Sequence, residues 1–131
     1  MLSLALAGLT LALVYTEIAR LFRGFKAIKP ADLTQLINAG NAVLVDLSAP
    51  ADFEKGHIAG SRNVQAKQFG PTHKLVVNAK QQPVVLVDST GMASTSAAKA
   101  LKKAGFEQIH VLDGGLPAWS AQDLPLIKGR N

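Results

Sequence analysis

Residues 83–103 read PVVLVDSTGMASTSAAKALKK, and the rest of the chain is organised around them. A short β-branched run, Val84 to Val87, stops at a polar loop that contains Gly91. Ala97, Ala98 and Leu101 then recur at helical spacing, which predicts a helix over Thr95 to Lys103 with Gly105 as its cap. Strand, tight loop and helix start aim several backbone N–H groups at one point, next to the positive end of a helix dipole. Such cradles hold phosphate, sulfate or a reactive thiolate. Here Asp88 stands at the head of the cradle, and the chain has no cysteine.

Working outward, Ala42 to Leu47 (AVLVDL) is a second apolar run ending beside an acid, the pattern of a buried parallel strand. Gln108 to Leu112 predicts a third strand, and Asp113-Gly114-Gly115 turns into a short helix holding Trp119. Pro30 and Gly40 bracket a helix over Asp32 to Ala39 with Leu33, Leu36 and Ile37 on one face. Asp52 to Glu54 predicts a helical turn stopped by Gly56, followed by a tight connection at His57 to Gly60. A further helical piece is expected near Gln65 to Phe69, and His73 to Gln82 reads as a loop or frayed helix. Strands and helices alternate across short connections, which predicts an α/β domain whose central parallel sheet is covered by helices on both faces.

Leu2 to Thr16 is apolar and uncharged, and residues 1–23 are long enough for a single membrane-spanning anchor helix. No Lys or Arg precedes this run, whereas Arg20, Arg23, Lys26 and Lys29 follow it. That order predicts an N-terminus outside and a folded part in the cytoplasm, with residues 24–29 as a basic juxtamembrane linker and 30–131 as the domain. The rivals are a cleaved signal peptide and a helix lying flat on the membrane. Of the net charge of +5, that N-terminal segment holds +3 when Glu17 is included, so the remaining surface is nearly balanced. One Trp, one Tyr and five Phe leave little for base stacking, and a nucleic-acid partner is not expected. With 131 residues the chain supports one domain. The lack of cysteine excludes disulfides, thiolate metal sites and thiol catalysis.

Three separated pieces together resemble a rhodanese-like domain. They are VDLSAPADFEKGHIAGSRNV with Asp46, Phe53, His57, Gly60 and Asn63, the loop VVLVDSTGMAS, and the ending IHVLDGGLPAW with Gly114, Gly115 and Trp119. The resemblance runs from about Ile28 to Leu126, and implies a three-layer α/β fold of the sulfurtransferase superfamily. With the N-terminal helix it also resembles small single-domain proteins of the bacterial inner membrane. In active rhodaneses the central loop carries a Cys that becomes a persulfide and, five residues on, an Arg that holds the anionic substrate. Those positions fall on Asp88 and Ala93.

A persulfide needs a thiolate that can attack sulfur and leave again. The Met92 thioether cannot serve, and neither can the hydroxyls of Ser89, Thr90 or Ser94. Asp88 also sets a like charge against an anionic substrate, a repulsion at ~4 Å of about 1 kcal/mol in water and about 4 at an effective dielectric of 20. An aspartyl-phosphate chemistry would need Mg²⁺ and further carboxylates, yet Asp88 is the only acid in DSTGMAS. The expected role of Asp88 is to cap the Thr90 to Ser94 turn.

His57 is expected to fix its loop through a backbone hydrogen bond, with no metal or cofactor implied. The family often has Arg two residues after the acid matching Asp46; here Ser48 stands there, which leaves Arg62 as the candidate partner of Asp46. The resulting expectation is a catalytically inactive, membrane-anchored interaction module for a membrane or membrane-associated protein. The alternatives are an enzyme or accessory of sulfur transfer, and a sensor that binds small anions weakly at the degenerate loop Asp88 to Ser94.

Overall fold

The structure, a computed structural model, describes residues 25–130. The apolar stretch read as an anchor, residues 1–23, lies outside the described residues. Among the described residues no helix is long and apolar enough to cross a membrane.

Five parallel strands form one sheet: β1 (Lys26–Ile28), β2 (Val43–Asp46), β3 (Arg62–Asn63), β4 (Pro83–Val87) and β5 (Gln108–Leu112), in the order β1-β5-β4-β2-β3. Four helices cover it: α1 (Pro30–Ala39), α2 (Pro50–Lys55), α3 (Met92–Lys103) and α4 (Gly115–Ala121). β4 is central, and all five of its residues are buried. This is why its sequence is continuously apolar rather than alternating.

Successive side chains of β4 serve opposite layers. Val84 and Leu86 join Ala98 and Leu101 of α3, Phe106 and Ile109 on one face. Val85 and Val87 join Leu33 of α1, Ile58 and Trp119 of α4 on the other. Trp119 completes its burial by donating its indole N–H to the Pro125 carbonyl at 2.9 Å.

The expected α1 face is observed: Leu33 is fully buried, and Leu36 and Ile37 pack against the same layer. Two features depart from the sequence reading. Lys26–Ile28, taken for part of a linker, is the outer strand β1 paired to His110–Leu112, because Ile28 is buried and its carbonyl receives the Asp113 N–H at 2.8 Å. β3 is only two residues long, so it leaves no alternating pattern to detect. His73 to Gln82, read as a loop or frayed helix, is a loop built of successive turns, pinned by the buried Val76 and Ala79.

Candidate functional site: the loop after the central strand

β4 delivers Asp88 to the carboxyl end of the sheet, where open α/β sheets place their sites. The Asp88 side chain is buried and acts as the hub of the loop. Its Oδ1 accepts the Gly91 N–H at 2.9 Å and the Ser94 hydroxyl at 2.6 Å. Its Oδ2 accepts the Ala93 N–H at 3.3 Å and lies 3.5 Å from the Thr90 hydroxyl. Gly91, the residue before α3, has φ +87°, a left-handed conformation that lets the chain turn back over the carboxylate. That turn starts α3 at Met92, three residues earlier than its apolar spacing indicates.

Two backbone donors of the loop, the Gly91 and Ala93 N–H groups, are therefore bonded to the protein's own carboxylate, and the Met92 N–H donates to the Thr90 hydroxyl at 3.3 Å. Ser94 is fully buried and donates to Asp88, whereas Ser89, Thr90 and Met92 are exposed. Among the described residues no histidine hydrogen-bonds any of the three loop hydroxyls; those of Ser94 and Thr90 face the Asp88 carboxylate. Ala93, at the position of the family's Arg, contributes an N–H and no charge.

The glycine pair of the third signature braces this loop from α4. The Leu116 N–H donates to the Asp88 carbonyl at 3.1 Å. A Cβ on Gly115 would stand 2.7 Å from the Asp88 carbonyl oxygen and 2.8 Å from that of Ser89, and Gly115 itself has φ +66°. Space and conformation both require glycine there. Gly114 precedes it in the same turn, and Gly60 turns the chain between α2 and β3.

The first signature supplies the floor of the site. His57 is fully buried, stacks on Phe53 at 3.7 Å between ring centroids, and has Nδ1 2.8 Å from the Phe53 carbonyl. Because a carbonyl only accepts, Nδ1 carries the proton, as the expected loop-fixing role requires. Asp46 is also fully buried. Burial pushes its carboxyl above the usual range, the Asp88 charge adds to this, and the Ser48 hydrogen bond and His57 oppose it. The Asp46 Oδ1 accepts the Ser48 N–H at 2.8 Å.

Arg62 does not pair with Asp46: it is an exposed residue of β3. The bracing comes instead from Asn63, whose amide donates to the carbonyls of Asp46 at 3.1 Å and Ser48 at 2.9 Å. Its place in the resembling motif was the only sequence signal for that clamp. The short Ser48 side chain cannot reach across as an Arg would; the backbone turn it enters donates one N–H to Oδ1, and Asp46 Oδ2 is buried with no hydrogen-bond partner among the described residues.

A parallel sheet covered on both faces, with an anion-type cradle at the end of its central strand, places the chain among α/β proteins with a loop-built site. The chain belongs to the rhodanese-like domain family, whose family model matches residues 29–122. It is 40% identical over 134 residues to the uncharacterized protein YibN of Escherichia coli strain K12, covering 98% of this chain and 91% of that protein. It is 33% identical over 97 residues to the thiosulfate sulfurtransferase GlpE of Pseudoalteromonas translucida, covering 74% of this chain and 90% of that one. In fold it is similar to a rhodanese-related protein of Thermoplasma volcanium, with TM-score 0.67, 23% identity, and coverage of 80% of this chain and 100% of that chain. The domain is thus related to sulfurtransferases.

Proposed function

We propose that this protein is a catalytically inactive rhodanese-like domain that works as a protein-interaction module. Residues 1–23 hold it at the cytoplasmic face of a bacterial inner membrane. One observation carries the reading: the Asp88 carboxylate occupies the cradle, bonding the Gly91 and Ala93 N–H groups and the Ser94 hydroxyl. A site filled by its own side chain lacks the thiolate that sulfur transfer requires, and the Gly91 and Ala93 donors of its cradle are taken. The membrane part of the reading is supported by the apolar run followed by Arg20, Arg23, Lys26 and Lys29. The similarity to YibN spans 98% of this chain and so takes in most of that run, whereas the similarity to GlpE spans 74%.

The test is crosslinking and copurification from membranes, comparing the full chain with a variant lacking residues 1–22 and with Asp88→Ala. The expected result is a specific protein partner that is retained with the full chain and lost without the N-terminal stretch. A partner released by Asp88→Ala alone would move the contact surface to the loop. Absence of any partner from all forms would overturn the reading.

A further inference from the structure

Between Glu54 and Asp88 the chain carries Lys55, Arg62, Lys67, Lys74 and Lys80, and no carboxylate. The fold gathers part of this stretch at one edge of the sheet. β3 and the turns that follow it line a surface groove of about 350 Å³, to which Arg62, Asn63, Gln65, Gln68, His73 and Lys74 contribute, and no acidic residue lines it. Through Arg62 and Asn63 this groove continues into a second one of about 440 Å³. The sole carboxylate of that second groove, Glu54, lies 3.1 Å from the Arg130 guanidinium. No residue of the 88–94 loop lines either groove.

The groove is rich in donors. The His73 Nδ1 accepts the Leu75 N–H at 3.2 Å, so the neutral ring carries its proton on Nε2 and remains a donor there. Among the described residues no side chain ion-pairs with Arg62 or Lys74. β3 is the terminal strand of the sheet, paired to β2 alone, and residues 62–65 run consecutively along the groove. An extended segment can lie beside such an edge, with its backbone opposite polar amides and its side chains opposite the cations.

We propose that this groove binds an extended acidic peptide segment of a partner protein, a proposal that rests on the interaction reading above. The geometry favours a peptide over other anions. Two cations, Arg62 and Lys74, line the groove together with the hydrogen-bonding side chains of Asn63, Gln65, Gln68 and His73, a set that suits the carboxylates and the backbone of a peptide alike. The lining has no exposed aromatic platform for stacked bases, and its largest apolar side chain, Leu75, is half-buried rather than free to enter a bilayer.

The test is a fluorescence-anisotropy titration of the full chain in zwitterionic detergent with a labelled Glu-rich peptide, using a Lys-rich peptide of equal length as control. The account expects saturable binding of the acidic peptide only, with Kd raised about tenfold or more by Arg62→Gln with Lys74→Gln. It expects no comparable change for Lys99→Gln with Lys103→Gln on α3. All four residues are solvent-accessible, and unchanged thermal midpoints would show that the variants fold. Equal weakening by the α3 variant would overturn the proposal as diffuse charge attraction. Displacement by inorganic phosphate at matched charge would overturn it in favour of a small-anion site. An oligonucleotide, or phosphatidylglycerol vesicles, binding in an Arg62- and Lys74-dependent way while the peptide does not would overturn it in favour of those ligands. A membrane partner captured equally well by the Arg62→Gln, Lys74→Gln form would remove the groove and leave the interaction reading standing.

Discussion

Replacing Asp88 by Ala should loosen the loop by an amount that its contacts define. The carboxylate satisfies two backbone N–H groups at the start of α3, at 2.9 and 3.3 Å, the work of a helix-capping side chain. Losing a cap costs about 0.5–2 kcal/mol. The Ser94 hydroxyl, fully buried and 2.6 Å from Asp88 Oδ1, would also lose its acceptor. An unsatisfied buried hydroxyl costs about 1–3 kcal/mol. Together these give about 1.5–5 kcal/mol for Asp88→Ala. Asp88→Asn keeps one acceptor oxygen and should lose about 1 kcal/mol. Urea unfolding followed by Trp119 fluorescence measures both. With a slope of about 2 kcal/mol/M, the Ala variant should lower the midpoint by roughly 1–2.5 M, and the Asn variant by clearly less. An Ala variant within about 0.5 kcal/mol of the parent, or one less harmful than Asn, would refute the view that Asp88 holds the loop.

Other perturbations probe the same framework. Gly115→Ala drives a Cβ to within 2.7 Å of the Asp88 carbonyl oxygen at positive φ, so it should cost about 2–4 kcal/mol and lower Tm by about 10 °C or more; calorimetry checks this. Asp88→Cys places a thiol among the same donors at a helix start, and its alkylation by iodoacetamide should show a thiolate forming below the ordinary value of about 8.5. His110 lies opposite Lys26 across β1 and β5, and burial, with the Lys26 charge, lowers its pKa from 6.5. The unfolded chain therefore binds the proton more readily, so stability contributed by neutral His110 is present above pH 6.5 and declines as pH falls through that value. Urea midpoints of His110→Gln should vary less between about pH 5 and 7 than those of the parent.

How much of this was legible in the sequence follows from how local each determinant is. β4 announced itself because a strand buried on both faces is apolar throughout, and α1 because Pro30 and Gly40 mark its ends. β1 and β3 were invisible, since three and two residues cannot establish a period and their identity as strands comes from partners distant in the chain. The capping role of Asp88 could be inferred because its hydrogen-bond donors lie within six residues. The Asp46 environment could not, because Asn63 reaches it from 17 positions away and Arg62 faces solvent. The basic groove likewise draws on residues 50–75, which only the fold brings together.

Sulfur transfer itself is the most direct test of the central claim that the cradle is filled and chemically spent. Purified full-length protein would be incubated with thiosulfate and cyanide while thiocyanate is followed, with intact-mass analysis in parallel. The account predicts no thiocyanate above the uncatalysed rate and no added sulfur atom on the protein. Turnover that disappears in Asp88→Ala, or a stable gain of one sulfur, would contradict it.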